Sequence, residues 1–273
     1  MSIVVNTNVS SMVVQNNLRN AAGGVTTSMQ RLSSGLKINS ASDDAAGLNL
    51  SQTMTSQINA SDIAKNNTQT GINLLQTMDS DLSQIGSLLQ RMRDLSVQAS
   101  NGVYSAAERA ALNTENTQLI AEITRISDNS NFSQINLLSA ASSITLQVGT
   151  NSGASNQLTI NTYASDATDL GVNGNTLNTA ANALTALGTC DTAIQTVSNN
   201  RAIVGATINR LEGTIQRTDM RKMNLESANS VILDADIALE SATLTRSQIL
   251  QQTAAALLSQ ANQMPTIALK LVQ

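Results

Sequence analysis

Apolar residues return at alternating steps of three and four along most of this chain, and proline interrupts them once, at Pro265. Proline ends helices more effectively than any other residue, so its scarcity permits helices far longer than those of an ordinary globular domain. Residues 234–273 hold the clearest stripe, through Leu250, Ala254, Leu257, Ala261, Met264, Ala268 and Leu271. Such a stripe is the seam of an amphipathic helix, and it needs a partner helix. From Ser247 onward the only charged side chain is Lys270. A solvated helix carries Lys and Glu outward, so a face made of Gln, Asn, Ser, Thr and Ala predicts contact with protein on several sides.

What fills the interior narrows the fold further. Aromatic residues are 1% of the 273, with no Trp, one Phe and two Tyr, so the large rings that fill wide cores are missing. Leu, Ile, Val, Met and Ala suit thin helix-on-helix seams instead. Charged residues are 12%, which lacks the charge density that keeps a protein monomeric. The net charge of −4 gives no clustered positive field, so nucleic acid is not an expected partner. No apolar run reaches the roughly twenty residues that cross a bilayer, so no membrane insertion is expected, and MSIVVNTNVSS lacks the pattern of a cleaved secretory signal. The single Cys190 excludes a disulfide or cysteine metal cluster within one chain and reads as a small apolar residue on a helix.

In chain order, residues 6–8 offer N-cap side chains, and Val14, Leu18, Ala21, Val25, Ser28 and Leu32 form a weaker second seam. Gly23 and Gly24 within it each cost about 1 kcal/mol relative to Ala, so this helix needs something packed against it, and the C-terminal helix is its natural partner. Ser42, Asp43 and Asp44 are expected to cap a new helix from Ala45. Along it Leu75, Met78, Leu82, Ile85, Leu89, Met92, Ser96 and Ala99 hold strict spacing until Asn101-Gly102 stops it. Over 45–101 it would span about 85 Å at 1.5 Å per residue. A shorter helix over 105–128 is expected to fold back, its apolar side formed by Ala106, Ala107, Ala110, Leu112, Leu119, Ile120, Ile123 and Ile126. Residues 129–136 read as loop. One β-hairpin near 143–162 follows, from alternating Ile144, Leu146 and Val148 and the answering Leu158 and Ile160, and then a loose polar stretch to about Asn175. The helical period returns with Ile194, Val197, Arg201, Val204, Ile208, Leu211 and Ile215, where the Arg201 stem packs and its guanidinium reaches solvent. The fold class is mainly α: an elongated antiparallel helical rod with paired terminal coiled-coil helices and one small β-hairpin.

Chemistry has little to work with. There is no histidine, no phosphate loop, no Cys pair and no nucleophile elbow, so no catalytic, metal or cofactor site is expected. Asp234 and Asp236 point to different helix faces and read as caps where one helix hands over to the next. The glycosylation pattern at Asn66 falls inside the long helix.

These residues resemble bacterial flagellin, the filament subunit of the flagellum, over nearly the whole chain. The N-terminal part carries VNTN at 5–8, QNNL at 15–18 and RLSSGLKINSASDDAAGL at 31–48. The C-terminal part carries INRLE at 208–212, DAD at 234–236, RSQILQQ at 246–252 and SQANQMP at 259–265. The resemblance implies an inner layer of terminal helices, 1–42 and 235–273, and an outer helical rod with the hairpin, 43–234, with no room for further outer domains. Val14, Leu18, Val25 and Leu32, with Leu250, Ala254, Leu257, Ala261, Met264 and Leu271, are then the polymerisation seam. It also implies a homopolymer outside the cell, export through the flagellar type III apparatus, a chaperone on the C-terminal helix, a filament cap and hook-associated proteins as partners. The segment 89–102, LQRMRDLSVQASNG, resembles the stretch bound by Toll-like receptor 5, with Arg91, Leu95 and Glu115 as the implied contacts. A hook–filament junction protein of related architecture is the alternative function, and an enzyme built on the loop 140–175 finds no base, nucleophile or ligand cluster there.

Overall fold

A computed structural model describes residues 7–272 of the chain, with side chains over 7–264. Among the described residues lie helices α1 (Val9–Ser34), α2 (Ala45–Ser100), α3 (Ala106–Asn129), α4 (Ala180–Leu233) and α5 (Ile237–Val272), with strands β1 (Asn131–Phe132), β2 (Ile135–Asn136), β3 (Ser143–Gln147) and β4 (Gln157–Asn161). Two compact units result, a terminal one of Met1–Ser56 with Met223–Gln273 and a central one of Gln57–Lys222. These divisions fall inside α2 and α4, whereas the sequence marks its divisions at residues 43 and 234, beside the caps.

Each helix starts where a side chain can take up orphan backbone N–H groups. Asn8 accepts from the Ser11 N–H at 3.0 Å, and Asp44 Oδ1 accepts from Ala46 and Gly47 at 3.0 and 2.9 Å. Asp43 takes no part in that cap, because its Oδ2 turns back to the Asn39 and Ser40 N–H groups and the Ser40 hydroxyl. Two adjacent carboxylates cannot both reach one helix start, so the second closes the loop before it. Ser105 and Glu108 form a reciprocal capping box on α3, Thr179 accepts from the Asn182 N–H on α4, and Asp236 accepts from Ala238 and Leu239 on α5. Helix α1 ends at Gly35, whose φ of 73° is left-handed and free of strain only for glycine, and its N–H donates to the Arg31 carbonyl at 2.8 Å.

In the central unit the α2 column from Leu75 to Ala99 is buried along its whole length. It packs against Ile120, Ile123 and Ile126 of α3 and Cys190, Ala193, Val197, Val204 and Leu211 of α4. Ion pairs lace α2 to α4, from Asp62–Lys222 and Lys65–Asp219 through Asp79–Arg201 to Arg93–Asp191, and their falling α4 numbers fix an antiparallel register. Arg201 therefore finds a carboxylate where the sequence suggested only solvent, with Nε 2.9 Å from Asp79 Oδ1. The sequence also misassigns one face of α3. Ala106, Ala107 and Ala110 are exposed, because the first turns of α3 extend past the apolar column that holds Ile120 and its neighbours.

The expected hairpin is β3–β4, with Ile144 opposite Ile160 and Leu146 opposite Leu158. It lies over α2 at Gly71, where any Cβ would collide with Leu146. Two segments read as loops are more ordered than their composition suggests. Residues 131–136 form the small β1–β2 pair, turning through Ser133 and Gln134 at positive φ without the glycine that signals such a turn. Residues 162–177 bury Ala167, Leu170, Val172 and Leu177, and their backbone bonds, such as Tyr163 N–H to Leu137 and Ser165 N–H to Leu138, hold them on the core. Widely spaced single apolar residues carry no period, so the pattern hid them.

Candidate functional site

Burial pushes the Cys190 thiol pKa up, and the candidate site among the described residues is an exposed surface. It lies on the terminal unit. Helices α1 and α5 run antiparallel, joined by Asn8 Nδ2 donating to the Ala261 carbonyl and Ser11 Oγ to Asn262 Oδ1, both at 2.8 Å, and by Ser28 Oγ donating to Glu240 Oε1 at 2.6 Å. Arg31 adds an ion pair to the same Glu240 at 3.7 Å.

On α1 the expected column turns inward: Ala21 and Ser28 are buried, and Val14, Leu18, Val25 and Leu32 are half-buried. On α5 the inward column is Leu244, Ser247, Ala254, Leu258 and Ala261, which shares only Ala254 and Ala261 with the stripe read from sequence. Leu250, Leu257 and Met264 are 52%, 56% and 56% exposed, one heptad apart on the flank of the pair. The reason is helix separation. A Cβ at Gly24 would stand 2.9 Å from Ser247 Oγ, so the helices approach closely where Gly24 faces Ser247, and Leu250 and Leu257 lie outside the seam while Leu244 and Leu258 flank it half-buried. Both columns repeat every seven residues, so spacing alone does not choose between them. The Leu271 side chain lies outside the described residues.

Beside that line runs a groove of about 430 Å³, walled by Val14, Ala21, Leu250, Ala254 and Leu257 and rimmed by Asn17, Asn20 and Thr253. No charged side chain lines it. A water-exposed apolar groove of this kind, rimmed by amide and hydroxyl side chains, is the candidate contact surface of the terminal unit. Further exposed apolar side chains on the same two helices are Val9, Met12, Val13, Met29, Ile237, Leu239 and Ile249.

A second candidate lies in the central unit. Arg91 and Glu115 meet on the surface, Nη2 to Oε1 at 2.6 Å, joining α2 to α3. Leu95, expected beside them as a contact, is buried instead with Ala99, Leu177, Ala183 and Ala186. In the glycosylation pattern at Asn66, Thr68 is buried and its hydroxyl donates to the Ala64 carbonyl, so the acceptor pattern is not displayed.

Residues 5–143 match the family model of the bacterial flagellin N-terminal helical region, and residues 187–272 match that of the C-terminal helical region. A flagellin of Halalkalibacterium halodurans is 39% identical over 272 residues, covering 99% of this chain and 100% of its own. The flagellar filament 33 kDa core protein of Treponema phagedenis is 36% identical over 286 residues, again covering 99% and 100%. Among solved structures, a chain described as a flagellar hook-associated protein of Vibrio parahaemolyticus aligns with a TM-score of 0.57 and 15% identity over 70% of this chain and 99% of that one, a likeness of fold.

Proposed function

This chain belongs to the bacterial flagellin family, and from that premise we propose that the exposed flank of its α1/α5 pair is the surface through which copies join as the structural subunit of the flagellar filament. The observation that carries this reading is the apolar line Leu250, Leu257 and Met264 beside an uncharged groove whose α1 wall is Val14 and Ala21; Leu18, Val25 and Leu32 continue the same α1 column and are half-buried. A two-helix layer leaves such a line without a partner, and another copy supplies one. When one face meets a different face of the next copy and the rotation does not close, the contacts propagate as a helix. The terminal helices, 1–42 and 235–273, would form the inner layer, and residues 43–234 the outer one.

The family premise extends to the surroundings. The filament is extracellular, and the subunit would reach it through the flagellar export apparatus, with a chaperone over α5 beforehand and cap and hook-associated proteins at the filament ends. By the same resemblance, the surface pair Arg91 and Glu115 would be the contacts for Toll-like receptor 5, and buried Leu95 would not be one. The protein acts as structure, with no catalytic role.

The test is Leu257→Asp. Its carboxylate would lie where assembled helices exclude water, and burying an unpaired charge costs several kcal/mol. The free chain should fold unchanged, since Leu257 is already exposed, while the critical concentration for seeded polymerisation rises sharply. Gln260→Asp on the polar face should change it far less. Leu257→Asp polymerising as readily as wild type would refute the assignment. Long polymers from purified, seeded chain would also exclude the junction-protein alternative, which forms a short ring.

A further inference from the structure

Methionine is spread unevenly over this molecule. Met78 and Met92 are fully buried in the central core, whereas Met264 is open to solvent and continues the Leu250–Leu257 line one heptad further along α5. A thioether packs like an aliphatic branch, so it suits the same contact, but its sulfur lone pair is open to two-electron oxidants. The competing thiol is shielded, because Cys190 is buried.

We propose that Met264 is an oxidation site through which a peroxide-class oxidant withdraws the unassembled subunit from polymerisation, an inference that rests on the assembly surface assigned above. The Met264 sulfur attacks one oxygen of hydrogen peroxide and the O–O bond breaks. The thioether is oxidised by two electrons to the sulfoxide, and the peroxide is reduced, its departing hydroxide taking the remaining proton to leave as water. The product carries a strong acceptor oxygen, which prefers to keep its hydration. Leu250 and Leu257, which precede it on that exposed line, have no side-chain donor to replace that water. An acceptor buried without a donor opposes the contact, so the oxidised subunit stays soluble and folded but joins the polymer poorly. Once assembled, the same sulfur is covered and the reaction is slowed. Met12, Met29, Met220 and Met223 are also exposed and will oxidise, but none lies on the Leu250–Leu257 line.

The experiment treats purified wild-type chain and a Met264→Leu chain with hydrogen peroxide until peptide mapping shows complete sulfoxide at position 264 of the wild type. Seeds of untreated polymer are then added and critical concentrations measured. Oxidised wild type should require about tenfold more protein, the scale of one unpaired polar group at a contact. Treated Met264→Leu should stay within about twofold of its untreated value. Methionine sulfoxide reductases of both stereospecificities should restore the wild type. Equal loss in treated Met264→Leu, or normal elongation by oxidised wild type, would overturn the inference and leave the filament reading intact. Untreated wild type that fails to elongate seeds would overturn both.

Discussion

Between residues 57 and 222 the α2 column meets α3, α4 and the β3–β4 hairpin, and Leu75, Met78, Leu82, Ile85, Leu89 and Met92 lose essentially all contact with water. Along α1 and α5 a column of the same period meets one partner, and the buried apolar side chains of the described terminal unit are Ala21, Ile38 and Ala254. The comparison separates periodicity from burial. A seven-residue repeat guarantees a stripe on a helix, but the number of neighbours decides how much of the stripe is covered. Where three elements converge, one chain completes its own core. Where two helices pair closely around Gly24 and Ser247, Leu250 and Leu257 stand exposed on the flank.

The largest effect should come from weakening the completed core. Leu82→Ala should cost about 2–5 kcal/mol, because a fully buried leucine leaves a cavity, whereas Leu250→Ala should change chain stability by less than about 0.5 kcal/mol. Urea unfolding of the two variants measures this directly, and comparable losses would erase the contrast between the units.

Adjacent glycines on α1 sharpen the contrast at smaller scale. At Gly24 a side chain meets Ser247, so Gly24→Leu should force α1 and α5 apart at about 1–3 kcal/mol. Gly23 has nothing within 4 Å of an added Cβ, so Gly23→Ala should instead stabilise α1 by up to about 1 kcal/mol through helix propensity. Amide exchange along residues 9–34 reads both, and equal signs would show that the close approach at Gly24 does not exist in solution.

The smallest effect concerns the loop that joins α1 to α2, where polar contacts at Asn39, Ser40 and Asp43 supplement the single buried apolar side chain Ile38. The Ser40 hydroxyl, then the Ser40 and Asn39 N–H groups, keep the Asp43 carboxyl below the usual aspartate range. A depressed folded value means that the loop keeps this support above the unfolded aspartate pKa and loses it as pH falls through the lowered value. In an NMR titration the Ser40 amide should therefore shift with a midpoint below that of an ordinary aspartate. A midpoint at the ordinary value would show that the Asp43 bonds are not populated.

Much of this architecture was legible because helices are local. The start of α2 after Asp44, its end near Asn101, the β3–β4 hairpin and the buried run from Leu75 to Ala99 follow from caps, turns and spacing within a few residues of each position. Partner choice is not local. Leu250, Leu257 and Met264 and the inward column of Leu244, Ser247, Ala254, Leu258 and Ala261 satisfy the same period, and the close approach at Gly24 separated them. For the same reason Leu95 turned inward while Arg91 and Glu115 came together at the surface, Asp43 left the helix cap to Asp44, and residues 162–177 packed without any repeat to announce it. The amino-acid sequence by itself determined which segments are helical and which family they belong to, because backbone hydrogen bonding and capping are settled within a turn or two. Only the tertiary structure decided which of two equivalent stripes faces the partner helix and which faces water, because that depends on how closely two backbones, hundreds of residues apart in the chain, can approach.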